Sequence, residues 1–485
     1  MKLMIIRILS VTLFLLILLF GGSRCLNKDS DESVIETREF WLVTEESDSD
    51  GINAVTKKLI HQFENEHKDV TIRMEVLPTN TEERAVRLEQ LRAQIMAGEG
   101  PDLFLLPTLC NSDSLIDDVS IAMRNGVFNA ITDYFDADLD LGKEVLESTV
   151  MDAGIVDGVR YVLPLAYNFP VIYADPAYLE EKGLEFSIEG VNVLTFFDAV
   201  IGLNDASLAK HAVPPTAYGQ AEAFSFFSNM IDYDSTHVLL APREVFDFMS
   251  KMQTINAIGG SLTRWEVTTE NYILYADAQE TNTKMDVDSL DHAIDFVAIA
   301  KSIEQEVAMI PLRAADGDLV ANVTYYAAVG SSCDSPELAY EFLRLFLLEE
   351  TQWENIRPQN EYRQAGTMHR GWPVRSHGAT YALWKNSYAP QFKKNSIYHI
   401  MGEEVEGATR RENALVYVTL DEEDVPVLDI PIDRARFQPA KIEIAFRDTL
   451  GTLNDWQNQY APTDEDIGAL AEYLIQELKW HVAEG

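Results

Sequence analysis

Residues 39–106 alternate strand-like and helix-like patterns with only short breaks between them, and this stretch restricts the possible folds more than any other. Residues 39–44 (EFWLVT) read as a strand. Residues 52–67 carry Ile52, Val55, Leu59, Ile60 and Phe63 at helical spacing, and residues 70–77 (VTIRMEVL) alternate as a strand should. A second helix is predicted over 82–97, with Leu88, Leu91 and Ile95 on one face, stopping at Gly98-Glu99-Gly100-Pro101. Residues 102–106 (DLFLL) form the short, largely apolar run of a strand covered on both faces. Strand, helix, strand, helix, strand with short connections predicts a parallel, doubly wound α/β sheet. In such sheets a ligand lies outside the carboxyl ends of the strands. The loops after Thr44, Leu77 and Leu106 are therefore expected to face a site, which makes Glu45, Glu46, Thr108 and Asn111 candidate ligand contacts.

A chain of 485 residues is too long for one hydrophobic core, so two lobes are expected. With 47% hydrophobic and 10% aromatic residues it can bury sizeable cores, and neither wholesale disorder nor a multi-span membrane protein fits. The net charge of −41 argues against nucleic acid as a partner.

The amino terminus follows different rules. Lys2 and Arg7 precede an apolar run over 8–20 that ends at Gly21-Gly22-Ser23, the layout of a signal peptide. The run falls short of the roughly 20 apolar residues of a membrane span, which favours a cleaved segment, residues 1–24, over an uncleaved anchor. Cys25 stands where a bacterial lipobox places its lipid-bearing cysteine; Arg24 before it departs from the usual small residue, so ordinary cleavage after Ser23 is the alternative. Residues 25–36 are polar and acidic, as a flexible tether would be. Cys110 and Cys333 are the remaining cysteines and are expected to be unpaired, on the view that they lie at opposite ends of one sheet.

Three separated blocks, in order, carry a family resemblance: MAGEGPDLFLLP at 96–107, VRYVLPLAYNFPVIYADPAYLEEKGL at 159–184, and NVTYYAAVGSSCDSPELAYEFLRLFLLEETQW at 322–353. Together they resemble the family 1 extracellular solute-binding proteins, the maltose-binding-like group. In the last block Ser335 can cap a helix, Pro336 suits its first position, and Leu338, Phe342 and Leu345 form its buried stripe. The resemblance implies a two-lobed periplasmic-binding-protein-like α/β fold of type II, with discontinuous lobes joined by hinge crossings. Lobe one would take 37–167 and 323–370, lobe two 168–322 and 371–450, and a helical segment 451–485. The implied function is the binding component of an ABC importer. Its partners would be a mono- or oligosaccharide, a transporter permease, and a membrane reached through the lipid on Cys25.

No enzymatic motif competes with that reading. His61 and His67 lack the HExxH spacing, and positions i and i+6 face different sides of a helix, so no metal site is expected. GxSxG, Walker, GxGxxG and CxxC patterns are absent, and no cofactor is implied. Carboxylate pairs are unavoidable among 79 acidic residues and do not by themselves mark a glycosidase. Aromatic residues at the crossings suit the apolar faces of sugar rings. These are Tyr167 with Asn168, Tyr325 or Tyr326, and Trp372 in GWPVR, at the expected third crossing. Adjacent strand residues face opposite ways, so each of these tyrosines could equally be core. Lys301, following the apolar run 296–300, would suit an acidic sugar or be a solvated charge. An exported glycan-degrading enzyme and a ligand-sensing ectodomain without transport are the alternative functions.

Overall fold

The structure is a computed structural model, and it describes residues 37–45, 51–108, 114–174, 176–187, 190–210, 212, 226–259, 285–289, 308–354, 372–375, 418–420, 426–428 and 432–484. Its first lobe is built on the predicted alternation: β1 (Arg38–Glu45), α1 (Gly51–Glu66), β2 (Val70–Leu77), α2 (Thr81–Met96) and β3 (Leu103–Pro107). β1 pairs in parallel with β2 over its whole length and with β3 at Leu42–Thr44. Asn80 starts α2, its side chain accepting from the backbone N–H groups of Glu82 and Glu83 at 3.0 and 3.1 Å. Gly98, at φ 73°, ends it by taking the left-handed conformation that a side chain would resist.

Beyond β3 come α3 (Val119–Arg124), α4 (Thr132–Ala137) and α5 (Ser148–Asp152), then β4 (Val162–Asn168), which belongs to the same sheet. The chain leaves that sheet through Phe169 into β5 (Pro170–Ala174), the first strand of a second, mostly antiparallel sheet. The second lobe adds β6 (Val191–Asn192), α7 (Val193–Leu203, following α6 at Pro176–Lys182), α8 (Pro242–Gly259), β7 (Met285–Ser289) and β8 (Ala308–Arg313). Strand order in this sheet is β7-β5-β8-β6. Phe196, Phe197, Phe226, Phe227 and Phe248 fill its core with rings 5.3–6.3 Å apart.

The chain returns to the first sheet as β9 (Val320–Val329), antiparallel to both β3 and β4 and buried at every residue. Helix α9 (Pro336–Leu343) follows, with Pro336 in its first turn as predicted. Ser335 takes the capping position, but its hydroxyl makes no capping bond, and the buried face is Ala339, Tyr340, Phe342 and Leu343, with Leu338 only partly covered. Short β10 (Trp372–Pro373) pairs with the end of β4. Val374 lies in the first core, and Arg375 bonds the backbone carbonyls of Leu347 and Leu141.

β11 (Arg434–Phe437) pairs in parallel with the start of β9, extending the sheet past the end of β3. The chain then crosses to the second core, where α10 (Ala440–Gln459) and α11 (Asp464–Glu484) bury Ile442, Phe446, Leu450, Ile467, Leu470, Leu474 and Leu478. The last crossing therefore lies at 437–440 rather than near residue 371, because residues 372–373 and 434–437 pair with strands of the first sheet. No described helix is long and apolar enough to cross a membrane.

Candidate ligand-binding site at the lobe crossings

Pairing brings the candidate residues to one end of the first sheet. β4 runs opposite to β9, and β9 opposite to β3, so β3 and β4 end on the same side. Glu45, Thr108, Tyr167, Asn168 and Tyr325 thus converge at the carboxyl end, where the crossing strands leave. Trp372 begins β10 opposite Tyr167, at the same end. Tyr326 pairs with Leu106 and Pro164, one step deeper than Tyr325.

Hydrogen bonding and packing define what each described side chain does there. Glu45 receives the guanidinium of Arg84 at 2.7 Å, and both side chains are largely covered. The Thr108 hydroxyl donates to the Val323 carbonyl, and its backbone N–H donates to the Thr324 carbonyl at 3.0 Å, fastening the end of β3 to the returning strand. The Tyr325 hydroxyl donates to the Leu105 carbonyl at 3.3 Å and lies 3.5 Å from the Thr44 hydroxyl. Tyr326 is 1% exposed and sits edge-on between Phe128 and Phe437. Tyr167 is 6% exposed and stacks with Phe169; its burial, helped by the charge of Glu147, pushes the phenol well above its usual range. Glu46, Asn111, Lys301, Cys25 and Cys110 lie outside the described residues.

The three crossings run side by side, and a row of polar residues joins them. Asn168 on β4 faces Asn322 on β9 in register, and Asn322 faces Arg436 on β11. Arg436 donates to Asn322 Oδ1 at 3.3 Å and, toward the second lobe, to the Phe227 and Ser228 carbonyls at 2.6 and 3.2 Å. Burial pushes its pKa down to about 9, against the pull of Tyr233 and Asp316, so it stays charged at neutral pH. A cavity of about 330 Å³ opens beside this row between the lobes. Asp152, Ser228, Asn229, Tyr233, Arg434 and Arg436 supply its main polar lining; none of the described sequence-predicted contacts borders it.

Asn322 and Arg436 were missed by the sequence reading. Asn322 opens the third resemblance block, and its position opposite Asn168 was a usable signal. Arg436 lies in RARF, with nothing nearby to mark it; only its pairing with β9 brings it to the crossing. Among the described residues, no group of three or more His, Cys, Asp or Glu side chains could hold a metal ion.

Comparison with known proteins finds a family match over part of the chain. Residues 46–234 match the family described as bacterial extracellular solute-binding protein. No curated protein sequence matches the chain. Among solved structures, it resembles the sugar-binding protein MalE from Xanthomonas citri at 12% identity and a TM-score of 0.56, over 92% of this chain and 98% of that one. It also resembles a periplasmic oligogalacturonide-binding protein from Yersinia enterocolitica at 13% identity and a TM-score of 0.54, over 92% and 99% of the two chains. A third likeness is the galacto-N-biose/lacto-N-biose I-binding protein of an ABC transporter from Bifidobacterium longum, at 13% identity and a TM-score of 0.51, over 93% and 97%. Over residues 46–234 the sequence matches the bacterial extracellular solute-binding protein family, and over more than nine-tenths of its length the chain is similar in fold to these sugar-binding proteins.

Proposed function

We propose that this protein is the exported solute-binding component of an ABC importer and captures a carbohydrate between its lobes without altering it. The observation that carries the reading is the construction of the crossings. Three strands pass side by side between two separately cored lobes, and a polar row of Asn168, Asn322 and Arg436 runs across them. Few strands join two rigid bodies there, so the lobes can rotate about the crossings while each core stays packed. A ligand that touches both lobes then shifts the balance between open and closed forms by its preference for the closed one. The fold likeness to sugar-binding proteins supports a carbohydrate as the ligand. Glu45, Glu46, Thr108, Asn111, Tyr167, Asn168, Lys301, Tyr325, Tyr326 and Trp372 remain the sequence-based candidates. Among the described ones, burial favours a role for Thr108, Asn168 and the three tyrosines in holding the crossing in place.

In this reading residues 1–24 are removed on export, and a lipid on Cys25 holds the protein at the cell surface beside its permease. A thermal-shift panel of mono- and oligosaccharides, uronic acids and peptides tests the ligand class, because a ligand bound only to the folded state raises the melting temperature. Chromatography of each bound sugar tests the absence of catalysis. Stabilisation by at least one carbohydrate, recovered intact, is expected; stabilisation by peptides alone, or cleavage of the sugar, would overturn the proposal.

A further inference from the structure

Three side chains distant in sequence meet where the lobes face one another beside α3. Asp118 belongs to the first lobe and caps α3, its Oδ1 accepting the Ile121 N–H at 3.1 Å. Its Oδ2 accepts the Tyr233 hydroxyl at 2.7 Å and lies 2.8 Å from His481 Nε2. Both of these partners come from the second lobe. Tyr233 follows Met230 of the second core, and His481 stands in the last turn of α11, next to core residue Leu478. The side chains of Asp118 and His481 are 3% and 6% exposed.

A carboxylate this dry, with two donors from the opposite lobe, cannot give them up gradually. Separating the lobes here strands a buried acceptor until water reaches it, so the contact is either made or replaced as a unit. His481 also occupies the carbonyl end of a 21-residue helix, which favours a cation. A protonated imidazole therefore gains from both Asp118 and the helix end, whereas a neutral one offers Asp118 a single uncharged donor. Other charged and titratable groups surround the three. Arg124 lies over the Tyr233 ring at 5.3 Å and pairs with Asp234 at 2.7 Å, and Asp117 is held by Arg92 at 2.8 Å. Asp232 and His237 sit on the two short strands beside Tyr233, Lys441 and Glu443 on α10, and Arg436 on β11. His237 is exposed and turned to the Ser235 carbonyl rather than to Asp118.

We infer that Asp118, Tyr233 and His481 form a proton-controlled latch between the lobes, which tightens the lobe arrangement seen here as pH falls and so tunes how readily the protein changes shape. The inference does not depend on the identity of the ligand. Small-angle X-ray scattering of the purified, ligand-free full chain at pH 8 and pH 5.5 tests it, across the range where imidazoles take up a proton. Wild-type protein is expected to show a narrower distance distribution at pH 5.5 than at pH 8. H481Q, which keeps a donor in place but cannot be protonated, is expected to lose that change. D118N is expected to be broad at both values. Circular dichroism of each variant verifies folding, and if D118N unfolds, H481Q alone decides the question. A wild-type curve unaffected by pH, or an H481Q curve that changes as the wild type does, would overturn the latch.

Discussion

Replacing Tyr326 with Ala separates a structural from a ligand-contacting aromatic at the crossings. Its ring is 1% exposed and packs edge-to-face on Phe128 at 6.4 Å and Phe437 at 5.7 Å. Phe437 ends the strand from which the chain crosses to the second core, so the cavity left by the ring would loosen the last crossing as well as the first core. Truncating a buried aromatic costs about 3–5 kcal/mol. For a lobe of this size each kcal/mol lowers the melting temperature by about 2–4 °C, which gives a fall of roughly 6–20 °C. Differential scanning fluorimetry without ligand reads that shift. Calorimetric titration with a carbohydrate well below the melting temperature should then return an affinity within a factor of a few of wild type. A tenfold loss of affinity with an unchanged melting temperature would refute the packing argument and place the ring against the ligand.

Three further predictions follow from buried groups near the sheet. Arg84→Ala should destabilise the first lobe by about 3–5 kcal/mol, because it leaves the covered carboxylate of Glu45 without its guanidinium; denaturant titration that finds under 1 kcal/mol would contradict a structural role for the pair. Burial raises the pKa of Asp138, but the Arg344 guanidinium and the Tyr340 hydroxyl outweigh it and hold the carboxyl below its usual range. Asp138→Asn should therefore cost about 1.5–3 kcal/mol at pH 7. That difference is fully present above the unfolded carboxylate value of about 3.9 and vanishes as pH falls through the lower folded value, so a gap that persists or widens in acid would contradict the assignment. Burial pushes the Cys333 thiol up to about 11, so peptide mapping after maleimide treatment at pH 7.5 should find it unlabelled in native protein and labelled once denatured; equal labelling in both states would contradict its burial.

The first lobe was legible because its information is local. The predicted strand 70–77 is β2 to the residue, and both helices of the opening alternation lie within a residue of their predicted bounds, since period-2 and period-3.6 patterns are set by neighbours along the chain. The returning strand begins at Val320. Its first four residues are held by Arg434–Phe437, more than a hundred positions later, and no local pattern reports such a partner. The last crossing was displaced for the same reason, because the return of residues 372–375 and 432–437 to the first lobe depends on pairing with β4 and β9. At the candidate site, the sequence pointed to the ends of the strands. It could not tell which side chains would be consumed by the sheet itself: Tyr326 by two phenylalanines, Thr108 by a backbone carbonyl, Glu45 by Arg84. Asp118, Tyr233 and His481 carried no sequence signal, because their meeting depends on how two lobes come together.

The central claim is that a carbohydrate is held between the lobes and draws them together. Small-angle X-ray scattering at fixed pH, with and without a saturating concentration of a sugar that gives a thermal shift, tests it most directly. The account predicts a smaller radius of gyration and a shorter maximum dimension on binding, both reversed when the sugar is dialysed away. Saturable binding with a scattering curve superimposable on that of the free protein would contradict capture by lobe closure.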